Sequence, residues 1–175
     1  MLKFLLGSWR GAIPSYQKGG KMVKQNIVWY EDDELKIEFD GAPHVCMRYV
    51  LPSSTPAEVK SIKKYPFINK TTLRVTITDK IIDDVFVFDI AKGYSFDGAS
   101  IPRLFWRVIG SNTDNSFLIP ALIHDVLCEN HYYIGSDREF STQIFDALLK
   151  VAEVPAFKRF LMTNSVDFYQ RFCDW

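Results

Sequence analysis

The hydrophobic pattern of this chain changes its period near Gly93, and this change constrains the fold more than any other sequence feature. Before Gly93, apolar residues recur at every second position, which is the spacing of one face of a β-strand. After Gly93, they follow the period of about 3.6 residues that is typical of helices. We therefore predict an α+β fold, in which an antiparallel β-sheet from the N-terminal half packs against a C-terminal bundle of about four helices.

Alternating segments predict the individual strands. Residues 35–40 and 73–78 alternate apolar and polar side chains, which indicates half-buried antiparallel strands. Residues 25–30 and 35–40 form one predicted hairpin, residues 71–78 and 81–90 form a second around Asp79 and Lys80, and residues 45–51 add another strand. Prolines and serines interrupt the pattern between Pro52 and Pro66, so we predict an excursion or linker within the domain there, and not a domain boundary.

The first two predicted helices follow a turn-rich loop. Ser100 as N-cap and Pro102 in the first turn open a short helix over residues 100–108. Residues 117–132 form the next helix, which is apolar nearly all round. A helix of that kind is expected at the centre of the protein.

Two more helices complete the predicted bundle. Ser136 and Glu139 form a capping-box pattern that starts a helix through residue 149. The last helix opens at Pro155 and offers several side chains for packing, namely Phe157, Phe160, Leu161 and Phe168. The helical part thus spans residues 94–175 and the strands span residues 23–93.

The length of 175 residues, 47% of them hydrophobic, allows one well-filled core and is too short for two ordinary domains. We predict a single domain over residues 23–175, preceded by a glycine-containing arm over residues 1–22. The first 30 residues carry basic side chains and no acidic one, which indicates a segment that binds a partner. The basic residues are Lys3, Arg10, Lys18, Lys21 and Lys24.

Charge and hydrophobicity exclude several classes of partner. The formal net charge is zero, so no specific nucleic-acid partner is predicted. No apolar run approaches the length of a transmembrane segment, and the initial apolar run stops at Gly7, before a signal peptide could form. Three widely spaced cysteines, Cys46, Cys128 and Cys173, argue against a disulfide framework and fit a reducing compartment.

The candidate site pairs the loop around Asp97 with His124 and Asp125 on the central helix. Adjacent helix residues point about 100° apart, so each of the two needs a partner elsewhere. His124 could act as a general base if a carboxylate fixed its tautomer, while Asp125 could bind a cation or hold the Asp97 loop. Asp125 could equally cap the start of the helix that opens at Ser100 or pair with Arg103, which would join the loop to the central helix without any chemistry.

A metal site is the weaker alternative. His124, Cys128 and His131 are spaced i, i+4 and i+7, which brings three zinc-type ligands onto one helix face. No fourth ligand is apparent, and His131 near the helix end is more typical of a contact with the last carbonyls. We predict no cofactor, with calcium or zinc as the alternatives and Asp97, Asp125, Cys128 and His131 as the weak candidate ligands.

Two motifs resemble a phage and prophage family called domain of unknown function 1353. The first motif is the loop phrase Phe96-Asp97-Gly98-Ala99-Ser100-Ile101-Pro102-Arg103 with Trp106, and the second is His124-Asp125-Val126-Leu127 followed by Arg138 and Phe145. The resemblance covers residues 90–170 and implies a bacteriophage protein. It assigns no reaction.

The resemblance also implies a layout similar to that of secreted phospholipases A2, with His-Asp on one helix and a second acid on the next. Family members show Ala-Asp before an aromatic position in that helix, where this chain has Ser141 and Thr142. The orienting carboxylate is therefore missing unless Asp146, one turn later, replaces it. In this layout His124 and Asp125 would be catalytic, and Arg103 and Asp97 would position the substrate or an anion.

Three functions follow as hypotheses. The favoured one is a virion-associated or assembly component without enzymatic activity, which contacts other phage structural proteins or copies of itself through the basic arm. The second is a hydrolase that acts on host lipid or cell envelope, and the third is a binding protein for host takeover or anti-defence. The expected location is the virion or the host cytoplasm.

Overall fold

The computed structural model describes residues 26–98 and 115–171, and in these ranges the predicted α+β arrangement is confirmed. The seven strands are β1 (Ile27–Glu31), β2 (Leu35–Phe39), β3 (Val45–Met47), β4 (Phe67–Asn69), β5 (Leu73–Asp79), β6 (Asp84–Ile90) and β7 (Ser95–Phe96). The five helices are α1 (Pro56–Lys64), α2 (Asn115–Glu129), α3 (His131–Ile134), α4 (Arg138–Val151) and α5 (Ala156–Gln170).

The larger sheet has four antiparallel strands in the order β1-β2-β5-β6. Both predicted hairpins are present, since β1 pairs with β2 and β5 pairs with β6. The alternating pattern places one face of β2 and β5 in the core: Leu35, Ile37, Phe39, Leu73, Val75 and Ile77 are all buried. The polar residues between them face outward, as the period-two pattern predicts.

A smaller sheet positions the candidate site. Its three strands lie in the order β3-β4-β7, and β7 pairs with β4 through Phe67 opposite Phe96. The backbone of Asn69 forms two hydrogen bonds with the segment that leads into β7. Its N–H donates to the Tyr94 carbonyl at 2.8 Å, and its carbonyl accepts from the Gly93 N–H at 2.8 Å. The residue that follows β7 is Asp97, so this sheet carries the first part of the predicted loop.

The excursion predicted over residues 52–66 contains a helix, α1, which we did not predict from the sequence. Thr55 is the N-cap, and its hydroxyl accepts from the Glu58 N–H while the Glu58 carboxylate accepts from the Thr55 N–H. Pro56 stands at the first helical position, where its missing N–H costs nothing. The capping box was visible in the sequence, but the prolines and serines around it obscured it.

Two predicted strands have different ends in the structure. The second strand of the β5–β6 hairpin starts at Asp84 and not at residue 81, because the Asp79 carboxylate accepts from the N–H groups of Ile81 and Ile82 and closes a turn. Asp83 adopts a left-handed φ of 55° in that turn. The strand predicted over residues 45–51 ends at Met47, and Tyr49, Val50 and Leu51 are exposed.

The central position of α2 is confirmed. It packs closely against α4, and its buried residues include Leu118, Ala121, Leu122, Ile123, Val126 and Leu127. The helix ends at Glu129, earlier than predicted, and a short turn of helix, α3, follows. The helix predicted over residues 100–108 lies outside the described residues.

The predicted capping box of α4 is wrong by one residue. Asp137 is the N-cap, and its carboxylate accepts from the Phe140 N–H at 2.7 Å. Ser136 is instead buried, and its hydroxyl donates to the Leu127 carbonyl at 3.4 Å. The Ser136 hydroxyl therefore joins α2 to the start of α4.

The last helix begins at Ala156, directly after Pro155, as expected. Its buried face is formed by Met162, Val166 and Gln170, whereas three of the four side chains that the sequence suggested for packing are exposed. The exposed fractions are 65% for Phe157, 62% for Phe160 and 64% for Phe168, and only Leu161 packs partly against the core. This expectation was wrong because an aromatic side chain on a helix surface gives no sign of which face meets the core.

We predict that Ile37→Ala lowers the free energy of unfolding by about 2–5 kcal/mol, because it removes a fully buried side chain at the centre of the larger sheet. The matched control is Val87→Ala on β6, whose side chain is exposed and whose truncation should cost less than about 0.5 kcal/mol. Urea unfolding followed by far-UV circular dichroism measures both. Equal losses for the two variants would contradict this assignment of the core.

Candidate functional site

The imidazole of His124 is enclosed by α2, α4 and α5. Its exposed fraction is 8%, and the ring of Phe145 on α4 lies 5.1 Å from it, centroid to centroid. The Gln170 amide nitrogen lies 2.9 Å from His124 Nε2, and the Cys128 sulfur lies 3.4 Å from the same atom. The ring nitrogen that a general base would use is thus already occupied.

Gln170 organises this cluster. Its amide nitrogen also lies 3.1 Å from the Cys128 sulfur and 3.4 Å from the Ser141 hydroxyl, and its amide oxygen lies 3.3 Å from the Thr142 hydroxyl. Because an amide nitrogen can only donate, Nε2 of His124 accepts and the ring proton belongs on Nδ1. The cluster is a satisfied, buried hydrogen-bond network.

Burial holds His124 in its neutral form. Removal from water lowers the pKa of the imidazole to about 4, and the same cause raises the pKa of the Cys128 thiol to about 12. Cys128 is therefore a thiol and not the thiolate that zinc prefers. Both side chains act here as polar members of the core.

The predicted orienting carboxylate does not reach His124. Asp146 forms ion pairs with Arg159 at 3.2 Å and with Lys150 at 3.5 Å. Thr142, at the position where the resemblance led us to expect an acid, instead contacts Gln170. Sequence reasoning missed Gln170, although its position continues the i, i+4 spacing of Met162 and Val166 on the buried face of α5.

Asp125 lies in a second environment on the same helix. Its carboxyl group hydrogen-bonds the Asp97 carboxyl group, which joins α2 to the loop after β7. The Asp125 Oδ1 atom is 3.8 Å from His124 Nδ1, too far for a hydrogen bond, and the Asp125 side chain keeps an exposed fraction of 19%. The two candidate residues therefore belong to different clusters.

Burial, the negative charges of Asp97 and Glu129, and the hydrogen bond that the Asp125 carboxyl donates to Asp97 together raise the pKa of Asp125 well above its usual value. Two hydrogen-bonded carboxyl groups must share a proton, since two carboxylates cannot donate to each other. Glu129 in turn accepts a hydrogen bond from the Tyr94 hydroxyl at 2.7 Å. Such a proton-sharing pair can donate a proton or lock a loop in place.

The remaining predicted site residues occupy different surroundings. Arg103 lies outside the described residues, so its proposed contacts are not described. His131 follows the end of α2, and its Nδ1 lies 2.9 Å from the Cys128 carbonyl, as expected for a histidine at a helix end. Within residues 26–98 and 115–171, no three His, Cys, Asp or Glu side chains are arranged to hold a metal ion.

We predict that Gln170→Ala lowers the free energy of unfolding by about 1–3 kcal/mol, because His124, Cys128 and Ser141 each lose a buried partner. The control is Gln143→Ala on α4, an exposed glutamine whose contact with Glu34 is 3.4 Å long. Chemical denaturation measures the difference. If Gln170→Ala were as mild as the control, the network would not stabilise the fold.

We predict that Asp125→Asn stabilises the protein increasingly as the pH rises from about 4 towards neutrality. The folded-state pKa of Asp125 is raised, so the stability that its proton contributes is present below the unfolded-state pKa and is lost as pH rises through the folded value. Asparagine keeps a donor for Asp97 without needing a proton. The depressed pKa of His124 acts in the opposite direction but is common to both proteins.

The measurement is the difference in unfolding free energy between wild type and Asp125→Asn across this pH range. The groups that face Asp125 are Asp97, Glu129, His124, Tyr94 and Cys128, and none of them changes in the variant. A difference that stays constant with pH would contradict proton sharing between the two aspartates.

Comparison with known proteins places this chain in a family. Residues 73–166, from β5 to near the end of α5, match the family described as Protein of unknown function (DUF1353). A stretch of 40 residues, 23% of this chain, is 42% identical to the Uncharacterized protein y4jT of Sinorhizobium fredii (strain NBRC 101917 / NGR234), of which it covers only 12%. No solved structure matches the chain. None of the described helices is long and apolar enough to cross a bilayer. The match over more than half of the chain shows that this protein belongs to the DUF1353 family.

Proposed function

We propose that this protein is a virion-associated or assembly component of a bacteriophage that works through binding and not through catalysis. The observation that carries the proposal is the exposed aromatic face of α5, formed by Phe157, Phe160 and Phe168. Their spacing of i, i+3 and i+11 puts all three on one side of the helix. Each of them is more than 60% exposed.

Such a surface is typical of proteins that bind other proteins. Aromatic side chains are enriched at the centres of protein interfaces, and contiguous exposed apolar patches are uncommon on monomeric proteins. Tyr132 and Tyr133 on α3 are also exposed, and their rings pack edge to face at 5.6 Å. The chain thus offers two aromatic surfaces that a partner could cover.

The state of His124 supports the same proposal. A general base needs a free ring nitrogen next to the substrate, but Gln170 occupies Nε2, and burial keeps the pKa near 4. The proposed partners are other phage structural proteins or further copies of this chain, and the proposed location is the virion or the host cytoplasm. The bacteriophage assignment rests on the resemblance of the two sequence motifs to phage and prophage proteins.

A hydrolase is the second candidate, and the carboxyl pair of Asp97 and Asp125 favours it. A protonated, partly exposed Asp125 could act as general acid while Asp97 accepts its hydrogen bond. Arg103 would position an anionic group of host lipid or cell envelope. His124 would be a base only if Gln170 moved away from Nε2.

The two candidates respond differently to two sets of variants in the source phage. We expect the double variant Phe157→Ser and Phe160→Ser to reduce the protein in purified particles about tenfold or more, because it removes the aromatic surface without touching the core. Asp125→Asn should leave incorporation and phage titre at the wild-type level. Quantitative mass spectrometry of gradient-purified particles measures incorporation, and plaque counts measure titre.

Tyr49→Ser is the control for the aromatic variant, because Tyr49 is a large exposed side chain on another part of the surface. The binding role fails if the wild-type protein is absent from purified particles. The hydrolase becomes the better explanation if Asp125→Asn abolishes phage production while the variant protein accumulates and folds normally.

A further inference from the structure

We propose that the groove between β6 and the start of α4 is the docking site of the chain's own basic N-terminal segment, residues 1–24. This inference does not depend on the proposed function, because it concerns a contact within one chain. It rests on the shape and charge of the groove, on the composition of the segment, and on the distance between them.

The groove has an apolar floor. The rings of Phe86 on β6 and Phe140 on α4 lie 4.6 Å apart, and Ile82 beside them is 63% exposed. The depression has a volume of about 490 Å³. A space of this size accepts one large side chain and part of its backbone.

Acidic side chains form the rim of the groove. Asp79, Asp137 and Glu139 line it directly. The residue pairing of Leu35 with Asp79 places the turns of both hairpins at the same end of the sheet, so Asp33, Asp83 and Asp84 also lie at this end. Two cations lie near this end of the sheet: Lys80 pairs with Glu31, and Arg138 forms an ion pair of 3.7 Å with Glu139, whose side chain is 87% exposed. The acidic side chains outnumber them. The groove therefore favours a cationic occupant with an apolar anchor.

Residues 1–24 have that chemistry. They contain Lys3, Arg10, Lys18, Lys21 and Lys24 and no acidic residue. Trp9 stands next to Arg10 and supplies the large apolar side chain that the floor of Ile82, Phe86 and Phe140 can accept. A tryptophan beside a cation satisfies both parts of the groove at once.

The distance favours docking within one chain. The start of β1 and the groove lie at opposite corners of the sheet, three strand spacings apart, which corresponds to a diagonal of about 20 Å. Seventeen residues separate Trp9 from Ile27, and at up to about 3.3 Å per residue a chain of that length can span this distance. A tether that can span the distance gives an effective concentration that reaches the millimolar range, so a chain's own segment competes well against that of another copy.

Zero-length carbodiimide cross-linking of the full chain tests the proposal. We expect amide cross-links from Lys3, Lys18 or Lys21 to Glu139 and its neighbours Asp79 and Asp137. An equal mixture of unlabelled and ¹⁵N-labelled protein identifies the source, because docking within one chain gives only cross-linked peptide pairs of the same isotope. The proposal is overturned if these lysines reach no carboxylate of the groove, or if mixed-isotope pairs are as abundant as same-isotope pairs.

Variants of the full chain test the two parts of the recognition. Trp9→Ala should lower the cross-link yield at least fivefold, whereas Trp9→Phe should retain most of it. Glu139→Lys should lower the yield to Asp79 and Asp137 by a similar factor, because it reverses the charge of the rim. Glu153→Lys is the matched control, since Glu153 is an exposed acid just beyond the other end of α4. Equal yields from Glu139→Lys and Glu153→Lys would show that the acidic rim does not hold the segment.

Discussion

Burial of α2 on all sides is the constraint on which the rest of this structure depends. Its closest neighbour is α4, and nearly all of its side chains are buried, so its buried polar groups must find partners inside the protein. His124 finds Gln170 and Cys128, and Asp125 finds Asp97. His124 and Asp125 are therefore the places where the central helix is bonded to the elements around it.

The 100° rotation between adjacent helix residues divides the site into two parts. One part, around His124, is closed and uncharged, and it joins α2 to α4 and α5 through Phe145 and Gln170. The other part, around Asp125, remains partly open and holds a proton between two carboxyl groups. A histidine and an aspartate that are neighbours in sequence thus differ in solvent access and in the direction of their pKa shifts.

The sequence predicts local structure here better than it predicts contacts. Period-two alternation identifies the buried faces of β2 and β5. Successive residues of a strand point to opposite faces of the sheet, so a sheet that is buried on one face alternates apolar and polar residues in its sequence. The Thr55 to Glu58 capping box shows that a local signal can be outweighed by composition, since prolines and serines suggested a loop there. The Gln170 contact with His124 and the carboxyl pair join residues far apart in sequence, and no local pattern encodes such pairings.

The shared proton also changes the charge of the native protein. The formal net charge of zero counts every aspartate as ionised. As long as Asp97 and Asp125 hold one proton between them, the folded chain is one elementary charge more positive than this count, and it loses that proton when it unfolds at neutral pH. The electrophoretic mobility of the folded chain therefore reflects a tertiary contact that a residue count omits.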